Sequence, residues 1–223
     1  MPHTEELLSK WMSKYSPNEN FIKDGIVNIS YWDRAPDKIL FFLKELNMAP
    51  GSWSATRPPE IQRDFRKTVD EHPWKTVGQW AYGILNRRTM KAFYEANQED
   101  NYSSACRSVA IVNLKKIAGD NSSRPREIIE YAIRNAEFLR EQIELISPNI
   151  VVCCGRNLVF NIARKIFKDA REAELVYERK DFVQGRLYRG EKYYWIDFVH
   201  PRMRKGTQKE KYDSLMDIVG KIP

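Results

Sequence analysis

The stretch Lys38–Trp53, KILFFLKELNMAPGSW, decides how the chain is read. Its first half, Ile39-Leu40-Phe41-Phe42-Leu43, is a short unbroken apolar run, the pattern of a strand buried on both faces of a parallel sheet. Polarity then changes abruptly at Lys44, Glu45 and Asn47, and Pro50-Gly51 breaks the chain. In an open parallel sheet, ligands bind just beyond the carboxyl ends of the strands. Glu45 therefore stands where chemistry is expected, although an acid there also suits the cap of a following helix.

Three further runs repeat the pattern. Ser108–Val112 (SVAIV) leads to Asn113, and Ile150–Cys154 (IVVCC) leads to Gly155-Arg156-Asn157. Tyr193–Val199 (YYWIDFV) leads to His200-Pro201. Between them lie helical periodicities. The clearest is expected over Arg126–Ile146, where Ile128, Ile129, Ala132, Ile133, Ala136, Leu139, Ile143 and Ile146 form one apolar stripe. Other helices are expected over residues 4 to 15, from Pro58-Pro59-Glu60 through Val69, over 76 to 85, over 88 to 94, over 158 to 167 and at the C-terminus. Asn28 and Tyr31–Arg34 read as a loop over the site, and 174 to 190 as mixed with one strand near Leu187-Tyr188. Strand and helix in alternation imply an α/β fold, a three-layer α/β/α arrangement around a central, mostly parallel four-stranded sheet. A single domain is expected over 1–223, with an N-terminal helical extension over residues 1 to about 35.

Composition narrows the class. The 223 residues hold 37 basic and 30 acidic side chains, a net charge of +7, with six Trp and eleven Tyr. Cations for phosphates and rings for stacking fit a DNA partner, though a charge excess is also an ordinary solvated surface. No run approaches the roughly 18 apolar residues of a membrane span. The start, MPHTEELLSKW, lacks the basic and apolar regions of a signal peptide. Three cysteines, two of them adjacent, fit reduced thiols in the cytoplasm and no metal or iron–sulfur centre. No cofactor is expected, and a monomer is.

Four strand ends thus carry Glu45, Asn113, Gly155-Arg156 and His200. Of the three histidines, only His200 follows a buried strand. The glycine turn before a helix is a place where free backbone N–H groups meet phosphate, although many such turns only need a glycine.

In their order these pieces resemble the uracil-DNA glycosylase superfamily. KILFFLKELN looks like its first motif, with Glu45 in the place of the water-activating carboxylate. SVAIVN is similar to the strand whose terminal Asn reads the flipped base, here Asn113. NIVVCCGRN resembles the third junction, with Gly155 and Arg156 near DNA. FVHPRM resembles the His-Pro loop, with His200 near the base carbonyl. The resemblance covers roughly residues 36 to 205 and implies a DNA glycosylase that flips a base from the duplex. It makes Glu45 and His200 catalytic, and Arg202, Arg204 and Lys205 DNA-binding. Met203 is the wedge that fills the gap, unless this is only a solvated basic loop. Trp53 either stacks on the flipped base or belongs to the core.

The departures concern the substrate. In the strict uracil enzymes an aromatic residue two places after the acid excludes groups on C5, and here that place is Asn47, small and polar. Leu46 replaces the usual Pro, and Arg202 the usual Ser. An Asn113 amide turned over would read cytosine. These features point to a modified pyrimidine with a bulky C5 group. The preferred expectation is glucosylated 5-hydroxymethylcytosine in phage DNA, an antiviral activity, with uracil second. Two other classes stay open: a non-catalytic DNA-binding module of the same fold, and an enzyme for a nucleotide or small phosphorylated substrate using Gly155-Arg156.

Overall fold

The computed structural model describes residues 2–16, 19–47, 63–119 and 124–223. Among them one sheet of seven strands is flanked by eleven helices. The strands are β1 (Gly25–Ile26), β2 (Ile39–Asn47), β3 (Ala110–Gly119), β4 (Ile150–Cys154), β5 (Glu174–Arg179), β6 (Gly185–Arg189) and β7 (Tyr194–Phe198). Their spatial order is β1-β3-β2-β4-β7-β6-β5. β3, β2, β4 and β7 are mutually parallel and are the four strands expected from the sequence. Three further strands, joined by antiparallel pairing, widen the sheet: β1 beside β3, and the β5–β6 hairpin beside β7. The strand expected near Leu187-Tyr188 is β6, whereas its outer partner β5 is concealed in the sequence because it is largely exposed and carries little apolar alternation.

Alternate residues of the central strands feed two apolar layers. Ile39, Phe41 and Leu43 of β2 face one side, with Trp80, Phe198, Tyr212 and Leu215. Leu40 and Phe42 face the other, with Trp11, Phe160, Phe167 and Trp195. The first layer is covered by α3 (Phe65–Glu71), α4 (Lys75–Leu85), α6 (Glu99–Arg107) and α11 (Gln208–Val219). The second is covered by α1 (Pro2–Met12), α7 (Pro125–Arg134), α8 (Ala136–Ile146), α9 (Leu158–Ile166) and α10 (Lys168–Glu172). Burial on both faces explains why these strands read as unbroken apolar runs. Cys106, Cys153 and Cys154 are all free and buried.

Several expectations are corrected. The stripe over 126–146 is two helices, parted at Asn135. Its side-chain N–H donates to the Tyr131 carbonyl (2.9 Å) while its Oδ1 accepts from Trp11 Nε1 (2.9 Å) and Tyr15 Oη (3.1 Å). An amide that bonds to the preceding turn and to another helix interrupts the helix without disturbing the stripe. Asn28 and Tyr31–Arg34 are no loop over the site. Asn28 caps α2 (Ile29–Arg34), accepting from Ser30 N–H. Residues 88–90 form a turn instead of a helix, followed by the short α5 (Phe93–Ala96). The expected helix start at Pro58-Pro59-Glu60 lies outside the described residues. Among the described residues, no helix is long and apolar enough to cross a membrane.

Candidate active site

β2 and β3 run on beyond the rest of the sheet. Pairing of β2 with β4 ends at Phe42–Cys153, whereas pairing with β3 continues through Leu43–Asn113, Glu45–Lys115 and Asn47–Gly119. Glu45 and Asn113 therefore lie within strands, not in the turns after them. The polar residues keep the ladder going because Glu45 and Lys115 sit directly across from one another and pair (2.8 Å).

This ribbon forms one wall of a cavity of about 400 Å³, within the range that holds small ligands. Leu43, Lys44, Glu45, Leu46 and Asn47 come from β2, Asn113 from β3, and His200 and Arg202 from the loop after β7. Phe65 of α3, Pro73 and Trp74 of the link that follows it, and Lys75 at the start of α4 close it. Glu45, Asn47, Asn113, His200 and Arg202, five of the expected site residues, thus share one cavity. Trp53 lies outside the described residues.

The carboxylate of Glu45 is almost fully buried. Its Oε2 takes the Lys115 ammonium, and no hydrogen bond to Oε1 occurs among the described residues. Gly119 makes room for it, since a Cβ there would lie 2.5 Å from Glu45 Cδ.

Asn113 is only 2 % exposed. Its backbone N–H and its Nδ2 both donate to Asp24 Oδ2, at 2.7 and 3.1 Å, while its Oδ1 is buried with no partner among the described residues. Asp24 itself is fully buried against Lys116 Nζ (2.6 Å). Burial pulls the Lys116 ammonium below its ordinary value, against the opposing pull of Asp24.

His200 Nδ1 accepts from the backbone N–H of Arg202 (3.1 Å), so the proton of the neutral ring sits on Nε2. Burial first, and then the charges of Lys44 and Arg202, lower its pKa to about 4. At neutral pH the ring is an uncharged Nε2–H donor in a positive field.

Other expected residues are placed differently. The turn after β4 offers no open anion nest. Gly155 and Arg156 N–H both donate to the Phe198 carbonyl (3.0 and 2.8 Å), and Asn157 N–H donates to Asp197 Oδ1 (2.8 Å). Arg156 keeps its side chain, held by Gln184. Met203 is not a projecting wedge. It packs half-buried against the core, and Lys211 Nζ donates to its carbonyl (2.6 Å). Arg202, Arg204 and Lys205 are exposed. Beside them Phe182, 56 % exposed, stands under the Lys205 ammonium (4.5 Å to the ring centroid).

Phe65, Trp74 and Lys75 escaped sequence reasoning. Phe65 belongs to an apolar helix stripe and so reads as core, and Pro73-Trp74 reads only as a break. The break was the available signal, because a proline that stops a helix leaves the next side chain at its end. Among the described residues, no group of three or more His, Cys, Asp and Glu side chains is placed to hold a metal. No protein-family model, curated protein or solved structure matches the chain.

Proposed function

We propose that the protein is a DNA glycosylase of the uracil-DNA glycosylase type, hydrolysing the bond between a flipped pyrimidine and its sugar. The observation that carries this reading is that Glu45 of β2, Asn113 of β3 and His200 of the loop after β7 line one cavity. Breaking an N-glycosidic bond builds positive charge on the sugar and negative charge on the departing base. Glu45 faces the first and orients the attacking water. The Nε2–H of neutral His200 donates to the base oxygen that becomes anionic, and Lys44 and Arg202, which repel a proton from His200, favour that anion. Asn113 pairs with the base edge, while Phe65 and Trp74 supply aromatic wall for its face. Arg202, Arg204 and Lys205 meet the phosphates, and Phe182 is the exposed apolar group available to fill the vacated stack.

Asn47 at the cavity wall leaves room beside C5, which supports a C5-substituted pyrimidine. Glucosylated 5-hydroxymethylcytosine of phage DNA is the first choice and uracil the second, with the enzyme acting in the cytoplasm as a monomer. The Glu45–Lys115 pair favours one other reading, a DNA-binding module without catalysis, because the ammonium offsets the carboxylate charge.

Duplexes that differ only in one base (uracil, 5-hydroxymethylcytosine or its glucosylated form) separate these readings after alkali treatment of abasic sites. A glycosylase cleaves at one of them, and Glu45→Gln and His200→Ala each lower the rate by roughly a hundredfold or more. Binding without any abasic product would leave the module.

A further inference from the structure

We propose that the site carries a second activity: Lys115 forms an imine with the open-chain sugar left by base removal, and the strand is then cut on the 3′ side of that sugar. The inference rests on reading the cavity as a base pocket with Glu45 beside the sugar.

Lys115 stands directly across from Glu45 in the β2–β3 ladder, and its Nζ lies 2.8 Å from Glu45 Oε2. Residues two apart on a strand share a face, so Lys115 is on the face of β3 that brings Asn113 to the cavity. Its side chain is 14 % exposed, against 5 % for Glu45. An ammonium becomes a nucleophile only when a base takes its proton, and the carboxylate in contact with it is such a base. Lys44 and Lys75 line the cavity too, but among the described residues neither is paired with a carboxylate. Lys44 alternates to the other face of β2, where its Cγ lies 3.8 Å from the place a Cβ on Gly155 would take. Lys115 is thus the amine on the sugar side of the site, and its flexible four-carbon stem lets Nζ swing past the carboxylate.

The steps balance with water as the one co-reactant. Hydrolysis leaves a sugar whose ring opens to an aldehyde at C1′. Glu45 takes a proton from the Lys115 ammonium, and the free amine attacks C1′. That proton passes to the hydroxyl of the adduct, which leaves as water, and a protonated imine remains. Glu45, again a carboxylate, removes a proton from C2′. The bond between C3′ and its phosphate oxygen breaks, the phosphate keeps the electron pair, and C2′ and C3′ become doubly bonded. Water then hydrolyses the imine and frees Lys115.

A duplex with a preformed abasic site tests this step apart from base excision. Borohydride reduces an imine to a stable amine, so the protein becomes covalently joined to the DNA. The expected result is that complex, with the sugar remnant located on Lys115 by proteolysis and mass spectrometry. Lys115→Arg keeps a cation opposite Glu45, but its guanidinium stays charged and forms no imine. In that variant, shown to be folded by its melting curve, both the complex and the strand cut made without alkali should be lost. A remnant on Lys44, Lys75 or the N-terminal amine, or a complex that persists in Lys115→Arg, overturns the proposal. If no complex forms although duplexes carrying a modified base become alkali-labile, Lys115 only extends the ladder; the inference falls and the glycosylase stands. If the wild type neither excises any base nor binds the abasic duplex, the base-pocket reading falls with it.

Discussion

His200 shows how much a single ring can disclose. Its pKa of about 4 lies below the 6.5 of a free imidazole. Between these values the unfolded chain takes up a proton that the folded protein refuses. The stabilising contribution is thus complete above pH 6.5 and is lost as pH falls towards 4. Replacing His200 with Asn removes this term. The stability gap between wild type and variant should then move by about 2 kcal/mol between pH 7 and pH 5, with wild type losing more. Denaturant melts at the two pH values measure it, and parallel losses would mean that the ring titrates normally. The same ring was legible in the sequence as the only histidine after a buried strand. Its tautomer was not, because that depends on the Arg202 N–H folding back to Nδ1. Likewise the sequence shows Glu45 as an acid near a strand end, but the cross-strand Lys115 becomes its partner only through the register of β2 and β3.

At the scale of elements, the four buried parallel strands were legible because burial on both faces writes an unbroken apolar run. Less legible were elements held by side chains far away in sequence. The break at Asn135 leaves the helical stripe intact, and only the bonds from Trp11 and Tyr15 give it away. Asn135→Ala should strip the buried Trp11 Nε1 of its acceptor and lower stability by about 1–3 kcal/mol, read in denaturant unfolding. β2 and β3 run past the boundaries expected from the sequence for a related reason. Polar residues usually announce a turn, but here they pair with each other and prolong the strands. The carboxylate of Glu45 consequently stands on a ladder instead of a loop.

Over the whole molecule, the excess of cations acquires a location: Lys44, Lys75 and Arg202 line the cavity, and Arg204 and Lys205 follow in the exposed loop. Replacing Arg202, Arg204 and Lys205 together with Gln should reduce the slope of log affinity for duplex DNA against log salt by roughly 2 to 3. Titrations at several ionic strengths check this, and an unchanged slope would place the phosphates elsewhere. The sheet itself is unevenly fastened. Leu40–Phe42 of β2 have a neighbour on each side, β3 and β4, whereas among the described residues the pairing of β2 with β4 ends at Phe42 and the strand pairing of Glu45 is with β3. Amide protons should thus exchange with deuterium in a gradient along one strand, slow at its centre and fast where the acid stands. A molecule entering the cavity would bridge that loose end to the loop after β7, and its arrival would register as deuterium protection spreading along β2.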